Sequence, residues 1–166
     1  MGIIIEKAQP SDAEEILALL KQIGSETDNL TFGAEGLPLS VEDEQKYIAA
    51  LENSDEGIML LARCEGRIVG SASISRLPRR MSHRAEIGIS IVKDFWNLGI
   101  GTELTAALIA FAREKGIEII DVQVRSDNSA SLRLCEKFGF KKLCTYPGFL
   151  KIKGTPIDAE LLSLHL

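Results

Sequence analysis

Paired thiols and imidazoles are what this 166-residue sequence most lacks. Its three cysteines, Cys64, Cys135 and Cys144, stand singly with no C-x-x-C spacing, which argues against a disulfide framework or a zinc site and points to a reducing compartment. His83 and His165 are the only imidazoles and lie far apart, so no metal site is expected. A basic excess is missing too. The formal net charge of -5 argues against a general nucleic-acid binder, which needs basic residues to displace the counterions of phosphates. The local cluster Arg76, Arg79, Arg80 and Arg84 reads as a solvated hairpin tip. No window approaches the length of a membrane span. The opening MGIIIEKAQP has no basic leader or small-residue cleavage site, and Glu6 stands where myristoylation expects Ser or Thr, so this stretch reads as a first strand. The expectation is a cytoplasmic protein with no nucleic-acid or membrane partner; a homodimer stays open.

What is present is hydrophobic periodicity, enough for one core over residues 1–166. Ile3 to Lys7 reads as a strand, and PSDAEEILALLKQI as an amphipathic helix with Ser11 as its N-cap. A polar loop ends at Ser40, with Asp43 placed as in a capping box, and a second helix runs to about Asn53. GIMLLARCEGRIVGSASIS reads as two strands around a Glu65-Gly66 turn, and RAEIGISIV as another strand. Then come a helix from Thr102 to Lys115 stopped by Gly116, a strand from Glu118 to Val124, a helix from Ser129 to Phe138 stopped by Gly139, and two strand candidates around Lys153-Gly154. The order implies a mixed α/β domain with one sheet of about seven strands, antiparallel at first and then parallel, with helices on both faces.

The segment FWNLGIGTEL places a glycine turn between a strand and a helix. Such a turn leaves main-chain N–H groups unpaired at the positive end of the helix dipole, where anions bind. Asn97, Leu98, Gly99, Ile100, Gly101 and Thr102 supply consecutive donors, and the two glycines let a ligand approach the backbone. The spacing fits neither a Rossmann fingerprint, since position 104 is Leu, nor a P-loop, since no G-K-[ST] follows. Further on, VRSDNSASLRLCEKFGF sets Asn128 at the carboxyl end of the next strand, where open α/β sheets bind ligands.

Together, ISIVKDFWNLGIGTEL and NSASLRLCEKFGF resemble the GNAT superfamily of acetyl-CoA-dependent N-acetyltransferases, whose signature is R/Q-x-x-G-x-G/A after a strand, then an Asn and an L-Y-x-K-x-G-F run. The resemblance covers nearly the whole chain and is nearest to the branch holding ribosomal-protein alanine and small-amine acetyltransferases. It implies the GNAT fold, acetyl-CoA as co-substrate without a metal, and direct acetyl transfer to a primary amine of a small molecule, amino acid or protein N-terminus. It further implies that Ile89 and Ile91 pair with the pantetheine arm, that 97–102 hold the pyrophosphate, that Asn128 contacts the pantetheine and that Lys137 lies near the adenosine. A non-catalytic acyl-CoA sensor of the same fold is the alternative.

Three positions depart from the pattern. Trp96 replaces the Arg or Gln expected to touch the pyrophosphate, Cys135 replaces the Tyr that protonates the leaving thiolate, and Gln123 stands where alanine acetyltransferases carry a catalytic Glu. Glu86, on the strand entering the turn, is therefore the candidate base, and Cys135, Tyr146 or water the candidate acid. The loop from Ser25 to Leu39, through Asp28 and Glu35, is expected to form an acidic acceptor wall.

Overall fold

A computed structural model describes residues 2–166. The elements are β1 (Ile3–Lys7), α1 (Ala13–Glu26), α2 (Val41–Leu51), β2 (Gly57–Cys64), β3 (Arg67–Arg76), β4 (Arg84–Ile91), α3 (Ile100–Glu114), β5 (Ile119–Arg125), α4 (Ser129–Lys137), β6 (Lys141–Ile152) and β7 (Thr155–His165). The seven strands form one sheet in the order β1-β2-β3-β4-β5-β7-β6. Local chemistry accounts for most of the boundaries. Glu65-Gly66 and Lys153-Gly154 each place both residues at positive φ, the turn that matches the twist of a two-residue hairpin. Ser40 caps α2 by accepting the Asp43 N–H at 3.0 Å.

Two expectations need correction. Ser11 is not a cap: residues Pro10–Asp12 form a 3-10 turn in which the Asp12 carboxylate accepts the Gln9 N–H at 2.8 Å, and α1 starts at Ala13. The sheet is also less parallel than the element order implies. Its sole parallel pair is β4 with β5, because β7 returns between β5 and β6 and pairs antiparallel with both. A helix-free hairpin at the chain's end can only close antiparallel.

The period of two in the strands divides the core. Leu61 and Ile68 face α1 and α2, packing with Ile16, Leu20, Ile23 and Ile48, whereas Leu60, Ala62, Ala72, Ile74, Ala85 and Ile120 face α3. Each fully buried aliphatic side chain contributes about 1.5–3 kcal/mol, so both faces are firmly covered.

The important geometry lies between β4 and β5. They pair only at Arg84–Glu86 with Ile119–Asp121 and then separate. At the closed end Arg84 forks onto Asp121 with contacts of 2.8 and 2.6 Å, and the Ser163 hydroxyl, on the strand across from Asp121, donates to the same carboxylate. Three strands are thus tied at one buried anion. Asp121→Ala would leave Arg84 and Ser163 without their partner, and a loss of about 2–4 kcal/mol is expected, read as a lower urea midpoint at unchanged m-value.

Candidate active site

A cavity of about 780 Å³ opens where β4 and β5 part. Residues 87–91 of β4 and 122–125 of β5 line its two edges. Val92 N–H donates to the Val69 carbonyl at 2.9 Å, and main-chain groups of an antiparallel strand alternate in direction. The groups of Gly88 and Ser90 therefore point to β3, and those of Ile87, Ile89 and Ile91 point into the gap. The gap thus presents an unpaired strand edge inside the molecule.

The turn before α3 closes one end of the cavity. None of the N–H groups from Asn97 to Thr102 has a partner among the described residues; the first bond of the helix ladder runs from Glu103 N–H to the Gly99 carbonyl. Asn97 at φ 62° and Gly99 at φ 85° turn the chain so that these donors converge beside the cavity, which Asn97, Gly99, Gly101 and Thr102 line. The two glycines differ in their reasons. Gly99 has open space around it but a left-handed backbone, whereas a Cβ on Gly101 would stand 3.2 Å from Leu134 Cδ2, so Gly101 lets α3 pack against α4. A 15-residue helix with a row of free amides aimed at a concavity is a site for an anion such as a phosphate ester.

Residues 25–140 match the family described as the acetyltransferase (GNAT) family. The chain belongs to the GNAT family. A GNAT-family acetyltransferase structure from Streptococcus pneumoniae superposes with a TM-score of 0.95 at 30% identity, covering 99% of this chain and 100% of that one. The Bacillus subtilis protein YoaA, an uncharacterized N-acetyltransferase, is 28% identical over 98% of this chain and 92% of its own length. The L-methionine sulfoximine/L-methionine sulfone acetyltransferase of Pseudomonas paraeruginosa is 24% identical over 100% of this chain and 96% of its own. The protein is therefore an acetyl-CoA-dependent N-acetyltransferase with the mixed seven-stranded GNAT sheet. No helix of the described residues is long and apolar enough to cross a membrane, and they contain no cluster of metal-ligating side chains.

Within this GNAT frame the expected residues sort into three groups. Ile89, Ile91 and the cradle residues Asn97, Gly99, Gly101 and Thr102 line the cavity, as do Asn128, Gln123 and Cys135. The Ile100 side chain is instead buried in the core, and Leu98 is exposed outside the cavity. The Asn128 side chain also caps α4, accepting the Ser131 N–H at 3.3 Å and donating to the Ser131 hydroxyl at 3.1 Å. Burial pushes the Cys135 thiol up to about 11. Glu86 is exposed and does not line the cavity, but its side chain shares the sheet face of Gly88, one alternate position or roughly 7 Å along β4. Lys137 and Tyr146 lie outside the cavity. Lys137 sits at the far end of α4 from Asn128, and Tyr146 is half-exposed, with its ring edge-on to Phe149.

Trp96 is more than a missing polar contact. Its indole N–H donates to the Ile91 carbonyl at 2.8 Å and braces the cradle against the strand edge, while Phe95 packs into both cores. The loop acids do not form the acceptor wall. Glu35 binds the Gly33 N–H at 2.9 Å and, like Asp28, stays outside the cavity, which the loop lines with Leu30, Phe32 and Leu37 among others. Of the basic cluster, Arg84 is tied to Asp121, and Arg76 donates to the carbonyls of Asp55, Ser82 and Lys115.

Glu44 escaped sequence reasoning. It occupies the first turn of α2, where an acid is read as a solvated complement to the helix dipole. In the fold it is only 2% exposed and lines the cavity. Its one legible signal is the spacing to Ile48, which puts both on the same face of α2. Desolvation raises its pKa from the ordinary 4.5.

Two outcomes are expected. Gly99→Val forces a β-branched side chain into a left-handed backbone, and acetyl-CoA affinity should fall about tenfold or more by calorimetry. For Glu44, a raised folded-state pKa means the native chain binds more protons than the unfolded chain, so stability falls as pH rises from the ordinary glutamate value through the raised one. Glu44→Gln removes that penalty. Its gain in Tm should be largest at about pH 8 and shrink toward about pH 5 in paired thermal melts.

Proposed function

We propose that the chain transfers the acetyl group of acetyl-CoA directly to a primary amine, with the cofactor seated through the opening between β4 and β5. The observation that carries this reading is the row of unpartnered N–H groups from Asn97 to Thr102 at the end of an unpaired strand edge. A pyrophosphate satisfies the first and an amide-bearing pantetheine arm the second. Ile89 offers both main-chain groups to that arm. Ile91 offers chiefly its N–H, since its carbonyl already accepts the Trp96 indole.

Transfer proceeds by attack of the neutral amine on the thioester carbonyl. A C–N bond forms, the C–S bond breaks, the nitrogen loses a proton and the thiolate gains one. An alkylamine with a pKa near that of lysine is almost wholly protonated at pH 7, and freeing its lone pair costs about 4–5 kcal/mol. Glu86 accepts that proton through water, consistent with its place beside Gly88 on the acceptor-side face and outside the cavity wall itself. Gln123, though on the wall, cannot act as a base. The thiolate takes its proton from solvent. Cys135 is protonated at neutral pH, but with a thiol near 11 it yields that proton less readily than a tyrosine at about 10.

Acetyl-CoA at about 100 times its Kd should stabilise the protein by about 2.7 kcal/mol, and ATP should not. The absence of a shift with acetyl-CoA and CoA would overturn the ligand assignment. In thiol-release assays across a panel of amines, Glu86→Gln is expected to lower kcat about 100-fold at pH 7, with the deficit narrowing as pH rises. An unchanged rate and pH profile would remove Glu86 from the mechanism. Cys135→Ala should retain kcat within about threefold, and a loss of about 100-fold would restore the thiol as proton donor.

A further inference from the structure

On the α1–α2 side of the sheet the cavity has a floor of small groups and a roof of apolar ones. Gly88, Ser73 and Met59 are cross-strand partners in one row, and Ser90, Ser71 and Leu61 in the next. A Cβ on Gly88 would meet nothing closer than the Ser73 hydroxyl at 4.0 Å, so the floor leaves room above it. Ile16, Leu20 and Ile23 of α1, with Phe32 and Leu37 of the following loop, close the chamber. Thr27, Asn29, Thr31 and Tyr47 add a few uncharged polar groups to its wall.

Among the residues lining the whole cavity only Glu44 and Arg125 carry a formal charge. They differ sharply. Arg125 is already engaged, donating to both carboxylate oxygens of Asp127 at 2.6 and 3.1 Å and to the Asp28 carbonyl at 3.3 Å. Glu44 is only 2% exposed, its carboxylate has no hydrogen bond or ion pair among the described residues, and its oxygens are not among the fully enclosed unpartnered atoms, so they open onto the cavity. The helix dipole does not explain it. Glu42 and Asp43 complement the same helix end from exposed positions, without the desolvation that a buried acid suffers. A buried, unpaired carboxylate facing an apolar chamber is a costly arrangement that a cationic guest would complete.

We infer that Glu44 is the seat of the acceptor's ammonium group, and that the acceptor is an alkyl- or arylalkylamine whose nitrogen is carried on an apolar body without an adjacent carboxylate. This rests on the amine-acetyltransferase reading above and narrows it. An amino-acid acceptor would bring a carboxylate into a chamber whose one cation is already paired with Asp127, whereas a simple amine brings the single charge that is missing. Glu44 holds the ammonium form, and the proton then leaves toward Glu86, so the two acids have separate tasks.

Phenethylamine and phenylalanine share a skeleton and differ by the carboxylate, which makes them the decisive probes, with methionine sulfone as a second amino acid. The parent protein is expected to favour phenethylamine over either amino acid by about 100-fold in kcat/KM. Glu44→Gln should raise the phenethylamine KM about tenfold or more and leave the acetyl-CoA KM within about twofold; Glu44→Asp, which keeps the charge, should recover part of the loss. Calorimetric titration of phenethylamine into the CoA-saturated protein gives the same comparison without turnover, and Glu44→Met, of similar volume, serves if the Gln variant folds poorly. An amine affinity indifferent to Glu44, or a preference for phenylalanine or methionine sulfone, overturns the inference. Failure of acetyl-CoA to bind or release thiol would instead strike the acetyltransfer reading, and the calorimetric comparison would still decide the fate of Glu44.

Discussion

The buried contact among Arg84, Asp121 and Ser163 is the constraint on which the rest of the molecule depends. It fastens β4, β5 and β7 at one end, where the sole parallel pairing of the sheet survives for three residue pairs. An ion pair of this kind needs additional hydrogen bonds to compensate its desolvation, and here two guanidinium contacts and a hydroxyl fill three of the carboxylate's about four acceptor sites. Beyond that end β4 stays paired with β3 and β5 with β7, but β4 and β5 no longer pair with each other. The opening between them is the consequence. A continuous sheet would satisfy its own edge and leave no place for a ligand.

The opening gives the two faces of the sheet different work. On the α3 side the helix start supplies amides for an anion, and Trp96 ties that start to the strand edge through Ile91. On the α1–α2 side, serines and a glycine form the floor of an apolar chamber with one unpaired acid. In the proposed reading, cofactor and acceptor approach from opposite faces and meet in the gap, which suits direct transfer without a covalent enzyme intermediate. The same arrangement explains the tolerance for a buried Glu44. Sites that bind charge commonly hold an uncompensated group that weakens the empty fold.

Much of the fold was readable along the chain because it follows from local rules. The hairpin turns at Glu65-Gly66 and Lys153-Gly154, the stops at Gly116 and Gly139 and the cap at Ser40 each need only neighbouring residues. Ser11 misled because Asp12, one residue on, takes the turn's N–H and moves the helix start. The extent of parallel pairing misled because β7 inserts beside β5, a choice made by packing between segments distant in sequence. Glycine spacing located the cradle but not the separate reasons for Gly99 and Gly101, since only the second depends on a neighbour, Leu134, from another helix.

The sequence by itself determined the order of elements and the glycine turn at a helix start, because each is written in short-range pattern and spacing, and its motifs carry the resemblance that led to the family. Tertiary structure alone decided which acids face the cavity. Asp28 and Glu35 looked like the acceptor wall and lie outside it; Glu44 looked like a solvated helix end and lies within. Burial of a side chain depends on what the rest of the chain lays over it, and the spacing to Ile48 sets the face of α2 that Glu44 occupies without recording what covers that face.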